Sequence, residues 1–232
     1  MKNRKFGVIG LGYFGLNLAI NLADKGAEVI AVDLDPIRVE LVNNKVTLAV
    51  ALDSTDKAAL EGIGIKDMDA VIVAIGENFE ASINTTAILQ ELGVKRIFNR
   101  VISPIHERLL KLMNVEELLV PEAEAALHLA NRLNIAGLLE AYEMDDEHSI
   151  FEINIPEQFI GKTVAESKLR QNHALNLVTV KRVIIKKGLM TLGQKASIAV
   201  TGVPDPNLIF KEGDVLVLFG KEDDVKLLLE EI

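Results

Sequence analysis

Three glycines, Gly10, Gly12 and Gly15, follow a short apolar run (6–9) and precede a helical pattern. In the spacing G-x-G-x-x-G each glycine has a separate task. The first permits a tight turn, the second lets backbone N–H groups approach a pyrophosphate, and the third lets the helix pack close to the sheet. The start of the helix adds unpaired N–H donors and partial positive charge. Tyr13 and Phe14 lie inside this loop. Asp33 ends the next β-branched run, where a carboxylate accepts hydrogen bonds from ribose hydroxyls and repels a ribose 2′-phosphate. These residues together predict a site for a phosphate-bearing adenine nucleotide.

Three further positions fall at the same ends of the expected strands. Asp53 opens Asp53-Ser54-Thr55-Asp56. Ser54 or Thr55 can cap the following helix with Asp56 in its first turn, while Asp53 can face the crevice and meet an adenine edge. Gly76 follows the fourth strand, beside the point where such sheets bind ligands. Arg100 ends the fifth strand, where it meets either phosphates or solvent. Chemistry beyond binding has no visible source. A hydride-transfer enzyme needs a proton donor or acceptor at a substrate pocket, and His106, His128, His148 and His173 are scattered. Glu124 and His128 stand one helical turn apart, but two ligands without a third do not make a metal site. No G-x-S-x-G, H-E-x-x-H or P-loop pattern occurs. A nucleotide site without catalytic partners predicts a protein that is not an enzyme and whose output is conformational. An NAD-dependent oxidoreductase and a standalone nucleotide sensor are the rival readings.

The elements needed to position these residues are written in the pattern of 6–120. Strand patterns at 6–9, 28–33, 46–52, 70–75, 96–100 and 118–120 alternate with helical patterns at 13–25, 36–43, 55–62, 79–92 and 103–113. Strands apolar on both faces, separated by helices, imply βαβ units and a buried parallel sheet. The expected fold is α/β: a Rossmann-like doubly wound parallel sheet followed by a small α+β C-terminal lobe. Ser103-Pro104 reads as a helix start, and 122–141 reads as one longer helix. The apolar pattern stops at 144–148, which places the domain boundary between 1–143 and 144–232. The second part shows strand patterns at 149–155, 177–185, 196–200 and 215–220 and helices at 164–170 and 223–230.

Composition excludes several classes. The 232 residues contain no Cys, which removes disulfides and thiolate chemistry. A net charge of -9 and 4% aromatic residues argue against nucleic-acid binding. No stretch has the roughly 20 unbroken apolar residues of a membrane span, and the basic start, 1–5, passes into a strand pattern instead of a signal peptide.

The order of several segments resembles a known family. "VIGLGYFG", "EVIAVDLDP", "DSTD", "DAVIVAIGENFEASINTT" and "VPEAE" are similar to the nucleotide-binding half of the cytosolic RCK (KTN) regulatory subunits of Trk/Ktr-type potassium uptake systems, nearest to the KtrA type. "FIGKTVAESKLR" and "FKEGDVLVLFGKEDDVKLL" resemble the C-terminal lobe of the same subunits. The resemblance implies a cytoplasmic subunit, peripheral at the inner face of the cell membrane, that gates a membrane potassium-translocating partner. It implies dimers assembled into an octameric ring and control by ATP, ADP, AMP or NAD/NADH. By the same resemblance Arg100 stands near the phosphates and Glu122 helps to hold a divalent cation, Mg²⁺ or Ca²⁺. A Glu in a first helical turn is also favoured by the macrodipole alone. Arg170 and Asn176 match residues that contact cyclic di-AMP, although Ala165 is small where the family has a larger aliphatic residue. Tyr13 departs from the family's arginine. A phenol cannot make bidentate phosphate contacts, which leaves the choice of nucleotide open.

Overall fold

The computed structural model describes residues 4–186 and 195–230. The chain divides into two compact units, Met1–Pro121 and Glu122–Ile232. In the first, strands β1 (Lys5–Ile9), β2 (Glu28–Asp33), β3 (Leu48–Ala51), β4 (Ala70–Val73), β5 (Ile97–Arg100) and β6 (Glu117–Leu119) form one sheet in the order β3-β2-β1-β4-β5-β6. Every pairing in it among the described residues is parallel. Helices α1 (Tyr13–Asp24), α2 (Pro36–Glu40), α3 (Lys57–Gly62), α4 (Phe79–Glu91) and α5 (Pro104–Leu112) connect the strands.

Neighbouring residues of one strand serve opposite faces of this sheet. Val8, Ala31 and Ile72 pack in one cluster with Leu11 and Ala19. Ile9, Val32, Val71 and Val73 pack in another with Leu60 and Leu89. Burial on both faces accounts for the unbroken apolar strands. The strand order reverses between β1 and β4, so a crevice opens at the carboxyl ends of those two strands. Ser103 caps α5, accepting from the His106 N–H at 3.2 Å, with Pro104 in the first turn.

The second unit begins with α6 (Pro121–Asn134), β7 (Leu138–Glu143) and β8 (His148–Asn154). It continues with α7 (Val164–Ser167), α8 (Leu169–His173), β9 (Asn176–Lys186), β10 (Lys195–Val200), β11 (Val215–Lys221) and α9 (Glu222–Glu230). Its antiparallel sheet has the order β10-β9-β11-β8-β7. Phe151, Ile153, Leu216 and Leu218 from the sheet pack with Leu169 of α8 and Val225 and Leu228 of α9.

Two helix expectations are corrected. The helix expected over 122–141 stops at Asn134, and Leu138–Glu143 is a strand paired to β8. The division into compact units falls at 121/122, whereas the sequence pattern breaks at 143/144. The polar stretch after β7 is a hairpin turn: the Met144 N–H donates to the His148 carbonyl at 2.9 Å, and Asp145 accepts from the Glu147 and His148 N–H groups. The helix expected over 164–170 is broken at Lys168, which adopts φ 49° between α7 and α8.

Candidate functional site

The glycine loop is shaped by close approaches. Gly10 has φ 93°, and a Cβ there would sit 2.9 Å from the Ile75 backbone nitrogen, against the end of β4. A Cβ on Gly15 would collide with the Gly10 carbonyl oxygen. Gly12 differs. It is the N-cap of α1 with φ -62° and ψ -175°, and a Cβ there meets nothing within 4 Å. Two glycines thus press loop, helix and sheet together, and the third keeps a space open at the N–H groups that begin α1.

That space belongs to a cleft of about 580 Å³ at the switch point. Gly10, Gly12, Tyr13, Asp33, Asp53, Gly76 and Arg100, all named from sequence, line it. Gly15 lies behind the wall. Phe14 packs against the core cluster of Val8 and Leu11 instead of the cleft, because the second position of α1 already turns toward the sheet. Tyr13 stands at the mouth with 92% of its surface exposed.

Asp33 is buried, and both carboxylate oxygens are engaged. One accepts from the Leu11 N–H at 2.5 Å and the other from the Asp35 N–H at 2.9 Å. The acid therefore ties the glycine loop to the end of β2, and it borders the cleft. Asp53 accepts from the Thr55 hydroxyl at 2.7 Å and the Thr55 N–H at 2.9 Å, which hold its carboxyl below the usual carboxylate range. The cap of α3 is neither Ser54 nor Thr55. Asp56 takes that role, accepting from the Ala58 and Ala59 N–H groups. Ser54 turns inward, 2.8 Å from the Thr85 hydroxyl. Arg100 lies across Gly76 so closely that a Cβ there would strike the guanidinium.

Several residues that line the cleft lie outside the motifs named from the sequence. Arg38, on α2, has Asp33 and Asp35 each at 3.9 Å and Glu77 at 3.6 Å. Asn78 caps α4, accepting from the Ala81 N–H at 3.0 Å, so that the start of a second helix borders the cleft. The readable signal was the pair of cap patterns, Asp35-Pro36 and Asn78 before a helical run.

The remaining candidates lie in the second unit. Glu122 is in the first turn of α6 and exposed. Among the described residues no group of three or more His, Asp or Glu side chains gathers as a metal site. Arg170, in α8, and Asn176, at the start of β9, are both exposed.

Comparison with known proteins identifies the two domains of the chain. The TrkA-N domain matches residues 6–121 and the TrkA-C domain residues 149–232. The chain is 32% identical to the Ktr system potassium uptake protein C of Bacillus subtilis over 96% of its own length and 94% of that protein. It is 30% identical to the Ktr system potassium uptake protein A of the same organism, over 97% of its own length and 96% of the relative. Among solved structures, the GsuK RCK domain superposes with a TM-score of 0.63 at 18% identity, covering 99% of this chain and 47% of that one. The GsuK channel bound to NAD gives a TM-score of 0.60 at 19% identity, covering 97% and 38%. The chain thus spans less than half the length of these solved structures, and the likeness establishes the RCK fold expected from the sequence. The chain belongs to the family of TrkA-N and TrkA-C domain proteins that includes the Ktr potassium uptake proteins.

Proposed function

We propose that this chain is the regulatory subunit of a potassium uptake system, a non-enzymatic gate element set by an adenine nucleotide in the cleft of the first unit. The observation that carries this reading is the open space at Gly12, bordered by the N–H groups of α1, in a chain related over nearly its full length to Ktr proteins. The N–H groups of the loop and Arg100 would hold phosphate, Asp33 the ribose, and Asp53 the base edge. The bound NAD named for the GsuK channel supports a nucleotide in this fold.

ADP, AMP, ATP and NAD/NADH remain the candidate ligands. Tyr13 offers no charge to a terminal phosphate. A charge-assisted contact is worth about 1.5–3 kcal/mol, so its absence weakens selection of ATP roughly tenfold to a hundredfold. Regulation then follows from differential affinity. A nucleotide shifts the subunit toward the conformation it binds better, and one bound equally by both does nothing. The finer parts of the reading are a membrane potassium-translocating partner, a homodimer assembling to an octameric ring, and a site on the cytoplasmic side of the membrane. To these are added Mg²⁺ or Ca²⁺ at Glu122 and cyclic di-AMP at Arg170 and Asn176.

Calorimetric titration of the full chain with ATP, ADP, AMP, NADH and cyclic di-AMP, with and without each cation, tests the ligands. Co-purification with a membrane translocator and nucleotide-dependent potassium uptake tests the role. Micromolar binding of at least one adenine nucleotide, lost with Arg100→Ala, is expected. Absence of binding, or steady turnover of NADH with a small substrate, overturns the reading.

A further inference from the structure

The cleft has two banks beyond Asp33. One is the turn from β2 into α2, the other the turn from β4 into α4. Arg38 stands on the first and Glu77 on the second, and they face each other with Nη2 and Oε1 3.6 Å apart. Both line the cleft. With a pyrophosphate on the glycine loop and a ribose on Asp33, the base of a nucleotide extends past Asp33 to lie between these banks.

The three carboxylates around Arg38 are held differently. Asp33 is fixed by the N–H groups of Leu11 and Asp35. Asp35 is the cap of α2, accepting from the Ile37 N–H at 2.8 Å. Glu77 sits in the turn before Asn78 with its side chain 86% exposed. It is the carboxylate that can leave, and its departure still leaves the guanidinium two acidic neighbours.

We infer that Arg38 and Glu77 form a strap across the base end of the cleft, which an entering adenosine moiety opens by displacing Glu77. The inference rests on the reading of the cleft as an adenine nucleotide site. The strap sets how readily any adenine nucleotide is admitted, a property the glycine loop does not control. A closed strap lowers apparent affinity by the fraction of molecules in which it is open. An exposed ion pair of this kind shifts such an equilibrium by roughly two- to fivefold.

The test is NADH binding by stopped-flow fluorescence, with ADP binding by calorimetry, on wild type, Glu77→Asp, Glu77→Gln, Arg38→Gln and the Arg38→Gln/Glu77→Asp pair. Glu77→Asp is the decisive variant, because it keeps the charge and shortens the reach. It should bind both ligands roughly two- to fivefold more tightly, with the gain in the association rate, and should gain nothing in the Arg38→Gln background. The strap is refuted if wild type binds normally and Glu77→Asp matches it while Glu77→Gln alone binds tighter, since repulsion between Glu77 and phosphate then explains everything. An equal gain in both backgrounds refutes it too. If neither wild type nor any variant binds either ligand, the nucleotide reading itself falls, and the strap with it.

Discussion

Gly12 and Gly15 occupy one loop, yet substitution by alanine should affect different properties. At Gly15 the added Cβ meets the Gly10 carbonyl oxygen, and Gly10 is itself pressed against the end of β4. Backbone stands on both sides, so no side-chain rotation relieves the clash. Overpacking of this kind costs about 1–3 kcal/mol. For a chain of 232 residues that lowers the melting temperature by about 2–12 °C. At Gly12 the Cβ enters open space, and φ -62° suits alanine. Restricting the unfolded chain stabilises by about 0.4–1 kcal/mol. Losing glycine at an N-cap, where alanine is a poorer residue, offsets a similar amount. Gly12→Ala should therefore melt within about 3 °C of wild type. Its methyl group occupies the place where phosphate oxygens reach the N–H groups, so nucleotide affinity should fall roughly tenfold to a hundredfold, the worth of a charge-assisted hydrogen bond. Differential scanning calorimetry and titration calorimetry on the same samples separate the two outcomes. A Gly15→Ala protein as stable as wild type would refute the packing argument. A Gly12→Ala protein that binds nucleotide normally would refute the assignment of the open space to phosphate.

Two further predictions concern stability. Asp214, fully buried, takes a two-pronged contact from Arg182, with both N···O distances 2.6 Å, and also accepts from the Lys211 N–H at 2.8 Å. Asp214→Asn removes the charge partner of an arginine that is only 23% exposed. It should cost about 3 kcal/mol, or about 6–12 °C in melting temperature. A shift below about 2 °C would show the pair to be dispensable. His106 is buried, and burial lowers its pKa from the usual 6.5. Its Nδ1 accepts from the Ile102 N–H at 3.3 Å, which puts the proton of the neutral ring on Nε2. The unfolded chain then binds the proton more readily than the folded one, so the contribution of His106 to stability is complete above pH 6.5 and fades as pH falls below it. Melting temperature between pH 7.5 and 5 should drop more steeply for wild type than for His106→Asn, which keeps an acceptor near Nδ1. Equal slopes would contradict the assignment.

The parts of the site that could be read in advance are those whose physics is local. Three glycines after a strand, an acid at the end of the next and a Ser-Pro helix start each declare a backbone geometry within a few residues. Arg38 and Glu77 carry no such mark, because they meet only after β4 is placed beside β1. Strand β7 escaped for a related reason. Leu138–Glu143 continues the composition of the helix before it, and it becomes a strand by pairing with β8.

The buried polar face of α4 is the most instructive of these cases. Ser82, Thr85 and Thr86 are polar, yet all three are buried. The Ser82 hydroxyl donates to Asn99 Oδ1 at 3.1 Å, Asn99 Nδ2 donates to the Thr86 hydroxyl at 2.5 Å, and that hydroxyl donates to the Ser82 carbonyl at 2.7 Å. Thr85 meets Ser54, next to Asp53. A polar group removed from water is costly unless paired, so these contacts fix α4 to β5 in one register where an apolar face would tolerate several. Asn99 is followed directly by Arg100, and the start of α4 supplies Asn78 and Ala81 to the same cleft. The network under α4 therefore holds three cleft-lining positions in a fixed relation. Glu77, directly before Asn78 on the same bank, stands outside that network with its side chain exposed and paired only with Arg38 across the cleft among the described contacts.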